Sequence, residues 1–265
     1  MTETAPPPPA PQAVTAETWH YLQWLFAYQL LTVRQQVLTL SQKYDLHDEF
    51  GQPRFFVVRP PKLALNMAVG VISLAVNLLI LVVAIRILMT TQSTLLALAL
   101  IFGGNIVTSL IRVLLAPFRD IDVYTDSSER FRVLRLTQDN KLGLHYWFTI
   151  YDAQHQPVAR ARRHALAGIF RRSWTAETMD GRRICRVQED ALMLALLRRY
   201  FGTLWGLLRT NFDVLLPDGR HVGEYNRKLT LTDQYVLDLR ADPDFLVDRR
   251  VTLALAILLD SAEGR

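Results

Sequence analysis

From Leu65 to Ile85, and again from Ser93 to Ile111, the chain carries no charged side chain. Each run approaches the roughly 20 apolar residues that a helix needs to cross a hydrocarbon core. Only Arg86 to Gln92 separate them, too few residues to hold a domain. The two helices are therefore predicted to be antiparallel neighbours, a transmembrane hairpin over residues 63–117 with its turn at 86–92. Arg59 and Lys62 precede the first helix, and Arg112 and Arg119 follow the end of the second. Arg86 alone lies on the turn side, where its stem can snorkel. This bias predicts an integral protein of a bacterial cytoplasmic (inner) membrane with both termini in the cytoplasm. Asn66, Asn77 and Asn105, with Gly70, Gly103 and Gly104, suit close helix packing and hydrogen bonds between the helices. A polar path for lipid is the alternative reading of the asparagines.

The rest of the chain is expected to be a water-facing domain. Half of the residues are hydrophobic and 21% are charged, a balance between a soluble domain and a polytopic transporter. The single cysteine, Cys185, excludes an internal disulfide framework. A net charge of +5 admits anionic lipid or nucleic acid as partners, and a membrane tether disfavours nucleic acid. Residues 1–14 are rich in Pro and Ala and read as a disordered tail without a signal-peptide layout. Residues 15–31, with Trp19, Tyr21, Trp24, Phe26 and Tyr28, read as an aromatic amphipathic helix. It either lies at a membrane interface or covers one end of the soluble domain.

Strand signals recur through residues 32–62 and 118–265. Arg54 to Val58 follow a turn at Asp48–Gly51, and Trp174 to Met179 turn at Asp180-Gly181 into Arg182 to Cys185. Phe212 to Leu216 turn at Asp218-Gly219 into Arg220 to Gly223. Phe148 to Asp152 lead into Pro157 to Arg160 without a glycine, so a different type of turn is expected there. Asp-Gly supplies the positive φ of tight hairpin turns, and hairpins in series point to an antiparallel sheet or barrel. At the C-terminus, Asp242 and Pro243 suit a helix start. From Val251 to Leu259 every residue except Thr252 is apolar. A nine-residue stretch with no wet face is too short to span a bilayer, so this helix, expected over 245–260, must be buried in protein. A mainly β architecture follows: an antiparallel β-barrel wrapped around its own hydrophobic C-terminal helix, with the helical hairpin inserted.

These residues resemble the scramblase and LURP-one-related group of tubby-like proteins. The likeness rests on the repeated hairpins, on Val222 to Lys228, on Tyr235 to Asp238, and on Asp248-Arg249-Arg250 before Ala254 to Asp260. The resemblance implies a twelve-stranded barrel around the terminal helix and a role at phospholipid. Such a chain would carry its hydrophobic segment at the C-terminus, whereas here the long apolar runs follow the first strands.

No nucleophile, dinucleotide, phosphate-loop or zinc-protease motif is present, and the six histidines are scattered, so no enzyme activity is expected. Asp242, Asp244 and Asp248 are the sharpest candidate for Ca²⁺, but Arg240 stands where a ligand should be and no glycine follows. Capping by Asp242 and an Asp248 salt bridge account for them better. Arg160, Arg162, Arg163, Arg171, Arg172, Arg182 and Arg183 form a basic stretch that suits anionic headgroups, or equally an outer barrel face in water. Two functions follow as expectations. One is a non-catalytic barrel that contacts anionic phospholipid and assists its redistribution; the other is a tethered adaptor whose barrel binds a protein partner.

Overall fold

The computed structural model describes residues 25–35, 42–60, 62–165, 172–189, 211–228 and 234–262. The expected tail 1–14, residues 15–24 and Arg171 lie outside them. The strands are β1 (Leu30–Gln35), β2 (Gln42–His47), β3 (Pro53–Arg59), β4 (Asp120–Tyr124), β5 (Arg132–Gln138) and β6 (His145–Asp152). They continue as β7 (Pro157–His164), β8 (Ser173–Glu177), β9 (Arg183–Glu189), β10 (Asn211–Leu215), β11 (His221–Lys228) and β12 (Gln234–Asp238). Helices α1 (Leu63–Thr91) and α2 (Thr94–Leu115) fall between β3 and β4, and α3 (Arg249–Ala262) follows β12.

Every strand pairs antiparallel with its sequence neighbours, and β1 closes on β12, giving a closed twelve-stranded barrel. Alternate residues face inward, as Ile121 and Val123 do on β4, Cys185 and Val187 on β9, and Phe212 and Val214 on β10. Inside runs α3, buried from Val251 through Leu259. The helix passes closest to β7 and β8. Those strands turn Ala159, Ala161 and Ala176 inward, and small side chains let the backbones approach.

The two ends of the barrel differ. At one end, which we term distal, the strands are joined by tight turns. At the other, β3 leads into α1 and α2 leads back into β4; this is the hairpin end. The distal turns share one hydrogen-bond pattern. Asp48 N–H donates to Gln52 O, and Gly51 N–H to Asp48 O; Thr178 with Gly181 and Leu216 with Gly219 repeat it. Gly51, Gly181 and Gly219 have φ between 77° and 88°, and in each hairpin the register shifts at the strand end before the turn. These are bulged hairpins with a left-handed residue, a position that glycine occupies without steric cost.

The glycine-free turn is a correction to the sequence reading. Asp152 N–H donates to Gln156 O and His155 N–H to Asp152 O, the same pattern, with His155 at φ 62°. Asp152 Oδ1 accepts from the N–H groups of Gln154 and Gln156, and the His155 ring stacks on Tyr151 at 4.6 Å. Those contacts hold a residue with a Cβ in a glycine position.

Two helix boundaries also differ from expectation. α1 continues through Arg86 to Thr91, where the hydroxyls of Thr90 and Thr91 also bond back to the carbonyls of Arg86 and Ile87. Gln92, at φ 52°, ends it, and the Ser93 hydroxyl accepts from Leu96 N–H to cap α2. The turn is thus two residues, and both helices are long and apolar enough to cross a membrane. They pack through small positions: a Cβ on Gly104 would lie 2.6 Å from Ile80 Cδ1, and Ser73, Ala84, Ala97 and Thr108 are buried. The expected hydrogen bonds between helices give way to local ones. Among the described residues, Ser73, Asn105 and Thr108 each donate to a carbonyl one turn earlier in their own helix.

The second boundary is that of α3, which begins at Arg249 rather than near Asp242. Asp242 instead organises the preceding loop: its carboxylate accepts from the N–H groups of Leu246 and Val247 and from Arg249 Nη1. The first turn of α3 is capped by Asp248, whose Oδ1 accepts from Arg250 N–H.

Of the aromatic segment 15–31, the described part covers the barrel's distal end. Leu25 and Tyr28 are buried, Phe26 stacks on Phe55 at 5.4 Å, and Tyr28 meets the same ring edge-on. The Tyr28 hydroxyl donates to Arg249 O at 2.7 Å. From Leu30 the chain is strand, so an aromatic helix does not extend to 31.

Candidate functional site

The strongest site lies at the hairpin end, in the barrel mouth. A cavity of about 380 Å³ opens between the end of α2, strands β5 to β8 and the C-terminal end of α3. Val113, Phe148, Trp174 and Leu258 give it an apolar wall; Arg119, Lys141 and Arg163 bring three cations, and no carboxylate lines it among the described residues.

Local structure explains how those side chains meet. On β7, Ala159 and Ala161 face inward, and the same alternation turns Arg163 toward the mouth. Lys141, in the β5–β6 connection, donates through Nζ to Leu114 O at 2.7 Å and sits 4.5 Å over the Phe118 ring. It thereby satisfies a carbonyl left without an intrahelical partner at the end of α2. Arg119 and Gln138 exchange bonds across β4 and β5, Gln138 N–H to Arg119 O and Arg119 N–H to Gln138 Oε1. Lys62 donates to Phe118 O and to Asp120 Oδ2, at 2.7 and 2.9 Å, and so ties both legs of the hairpin to the barrel. Near the same end, Arg59 lies over the Tyr44 ring at 5.3 Å. Burial holds the Arg59 guanidinium below its usual pKa, and burial with the neighbouring Asp260 pushes the Tyr44 phenol up to about 12.

The basic stretch singled out in the sequence does not form one surface. Arg160 and Arg162 face outward on β7, flank Trp147 at 5.4 and 5.8 Å, and pair with Asp139 and Glu177. Arg163 faces the mouth. Arg172 precedes β8 at the hairpin end, where its backbone exchanges bonds with Glu189. Arg182 and Arg183 are exposed at the distal β8–β9 turn, Arg182 against Asp180. They sit toward the distal end, three to four residues from the level of Arg163, roughly 10–13 Å along the strands at 3.3 Å per residue. Sequence reasoning named Arg119 only as a flank of the second apolar run and did not name Lys141; the two meet only through the β4–β5–β6 register.

The asparagines do not form a continuous polar track. Asn77 and Asn105 lie at nearly the same level, close to the Ile80–Gly104 contact, whereas Asn66 is about 16 Å of helix from Asn77. In the C-terminal loop, Asp242 is buried against Arg249 and Asp248 pairs with Arg250, so guanidinium groups occupy two of the three carboxylates considered for Ca²⁺; Asp244 is exposed.

One histidine does meet carboxylates. On the outer face, His221 Nε2 lies 3.6 Å from Asp213 Oδ1 and 3.7 Å from Glu224 Oε1. The β10–β11 register, which places Asp213 opposite Glu224, creates this group, so the scattered histidines of the sequence are less isolated than expected. It is half-exposed, and Glu224 also accepts from Asn226 Nδ2 at 2.7 Å.

A mouth with an apolar wall and three cations suits an amphiphile carrying an anionic head. Among known proteins, no family model matches this chain and no curated protein matches it in sequence.

Proposed function

We propose that the hairpin anchors the chain in a bacterial cytoplasmic membrane and that the barrel, on the cytoplasmic side, is a non-catalytic module contacting anionic phospholipid through its mouth. The observation that carries this reading is where the cavity lies. It opens where α2 meets the barrel, and a helix long enough to cross a bilayer would bring that junction to the headgroup level. Arg59, Lys62, Arg112, Arg119 and Lys141 cluster toward this end, and each cation near an anionic leaflet contributes about 1 kcal/mol. Lys62, Arg112 and Arg119 flank the apolar runs, as cytoplasmic flanks should.

The separation of Asn66 from Asn77 and Asn105 favours contact over transport along a row of amides. Full-length protein in nanodiscs of graded phosphatidylglycerol content tests the reading. Native mass spectrometry should show anionic lipid retained by the protein, with retention reduced in Arg163→Ala and Arg119→Ala. Equal retention of phosphatidylcholine by wild type and both variants would refute it. Dithionite quenching of a fluorescent lipid in protein-containing vesicles tests redistribution separately: quenching beyond the outer-leaflet half would add lipid movement to contact.

A further inference from the structure

The bulged hairpins repeat one arrangement on the outer face of the barrel. The register shifts just before each turn, so one residue of the return strand is passed over. In β10–β11 that residue is Val222; it and Gly223 are both buried, which breaks the alternation. His221 is thereby turned outward, to the side of Glu224 and of Asp213 across the strand pair.

The other hairpins show what this position ordinarily carries. The residue equivalent to His221 is Pro53, Pro157 or Arg183 in three of them, none of which can donate a lone pair. In β4–β5 the equivalents of His221 and Glu224 are Arg132 and Arg135, which approach Asp122 at 3.4 and 3.9 Å. There two guanidinium groups neutralise the strand carboxylate. In β10–β11 the same triangle holds an imidazole and two carboxylates, whose ligand atoms all lie within 4.8 Å of one another.

We propose that Asp213, His221 and Glu224 form a site for a divalent first-row cation of the zinc class. The distances of 3.6 and 3.7 Å from His221 Nε2 to the two carboxylates are too long for hydrogen bonds. Two donors held about 2.1 Å from one ion at a tetrahedral angle stand about 3.4 Å apart, so a small contraction closes the site. Glu224 is already oriented for it: Oε2 accepts from Asn226 Nδ2 at 2.7 Å, and Oε1 is the oxygen that faces His221. The next carboxylate in the row, Asp238 opposite Glu224, holds Arg240 instead. One imidazole with two carboxylates selects zinc or its neighbours over Ca²⁺ and Mg²⁺, which take oxygen donors. Three protein ligands on a half-exposed face leave a coordination position open to water.

Titration of untagged, chelator-stripped full-length protein in detergent with Zn²⁺ alone tests the site. One equivalent should bind, and His221→Ala and Glu224→Ala should each weaken binding at least about tenfold, since even outer-shell changes cost that much. The two side chains are 39% and 47% exposed, so both variants should keep the wild-type thermal midpoint without metal. Co²⁺ in place of Zn²⁺ should give a visible absorption band that both variants lose. His145→Ala with His164→Ala removes the other close histidine pair, whose rings lie 5.0 Å apart, and should leave binding unchanged. No bound Zn²⁺ in the wild type would overturn the proposal. So would binding that survives both single variants, or that is lost only with His145 and His164.

Discussion

Asp242 and Arg249 form an ion pair, 2.9 Å from Oδ2 to Nη1, in which the two side chains are 0% and 2% exposed. The pair joins the loop after β12 to the first residue of the core helix. Removing one member leaves the other charged in a dry site, a loss of about 3–5 kcal/mol, whereas a well-packed apolar replacement of both is often neutral. Asp242→Asn should therefore lower the thermal midpoint steeply. Asp242→Leu with Arg249→Met should recover only part of the loss, because the N–H groups of Leu246 and Val247 also lose their acceptor, as read by circular dichroism of the purified protein.

The distal turns predict opposite signs at equivalent positions. A Cβ on Gly181 meets nothing within 4 Å, so Gly181→Ala isolates the cost of φ 85° for an L residue, about 1 kcal/mol. His155 already bears that cost, partly offset by the Tyr151 stack. His155→Gly should leave stability equal or raise it by up to about 1 kcal/mol. Urea midpoints of the two variants against wild type decide the matter.

Leu255 lies on α3 with no exposed surface. Leu255→Ala should cost about 2–5 kcal/mol, and Leu255→Arg, which buries an unpaired cation among strands on all sides, should prevent the barrel from folding. A Leu255→Arg protein that melted at the wild-type temperature would show that α3 is not the core.

Alkaline pH should destabilise the barrel. Burial pushes the Cys185 thiol up to about 12; Tyr44 is held near the same value, and burial raises Tyr28 further. In the unfolded chain these groups titrate near their ordinary values, about 8.5 for thiol and 10 for phenol. Above pH 8.5 the unfolded state therefore loses protons that the folded state keeps. Stability is unaffected below that pH and falls as pH rises toward 12, by up to about 1.4 kcal/mol per pH unit for each group. Unfolding midpoints between pH 8 and 11 measure the slope. A thiol reagent at pH 8 should label Cys185 only after unfolding.

Much of this architecture was legible because single residues declare it. The absence of charge between Leu65 and Ile85 marks a helix with no wet face, and the apolar stretch from Val251 to Leu259 marks the core. What was not legible depends on pairs brought together across the sheet. Asp242-Pro243 has the local look of a helix start, yet the carboxylate is needed by Arg249, seven residues on. Arg86 has the look of a turn residue, yet the helix runs past it to Thr91 and ends only at left-handed Gln92, whose N–H bonds Leu88 O. Arg160, Arg162 and Arg163 read as one basic run, and strand alternation sends the first two outward and the third inward. Arg119 and Lys141 become neighbours only once β4, β5 and β6 are in register.

The placement of α1 and α2 between β3 and β4 sets a schedule for synthesis. Strand β1 pairs early with β2 but cannot close on β12 until residue 238 has been made, and the helix that fills the barrel is completed only at residue 262. At ordinary elongation rates of 5–20 residues per second, the first three strands wait on the order of 10–40 s after leaving the ribosome. Throughout that interval the apolar faces of Leu31, Leu46, Phe55 and Val57 have no core to join, while the hairpin behind them is already complete. The earliest part of the sheet is thus the part longest exposed before a core exists, whatever the stability of the finished barrel.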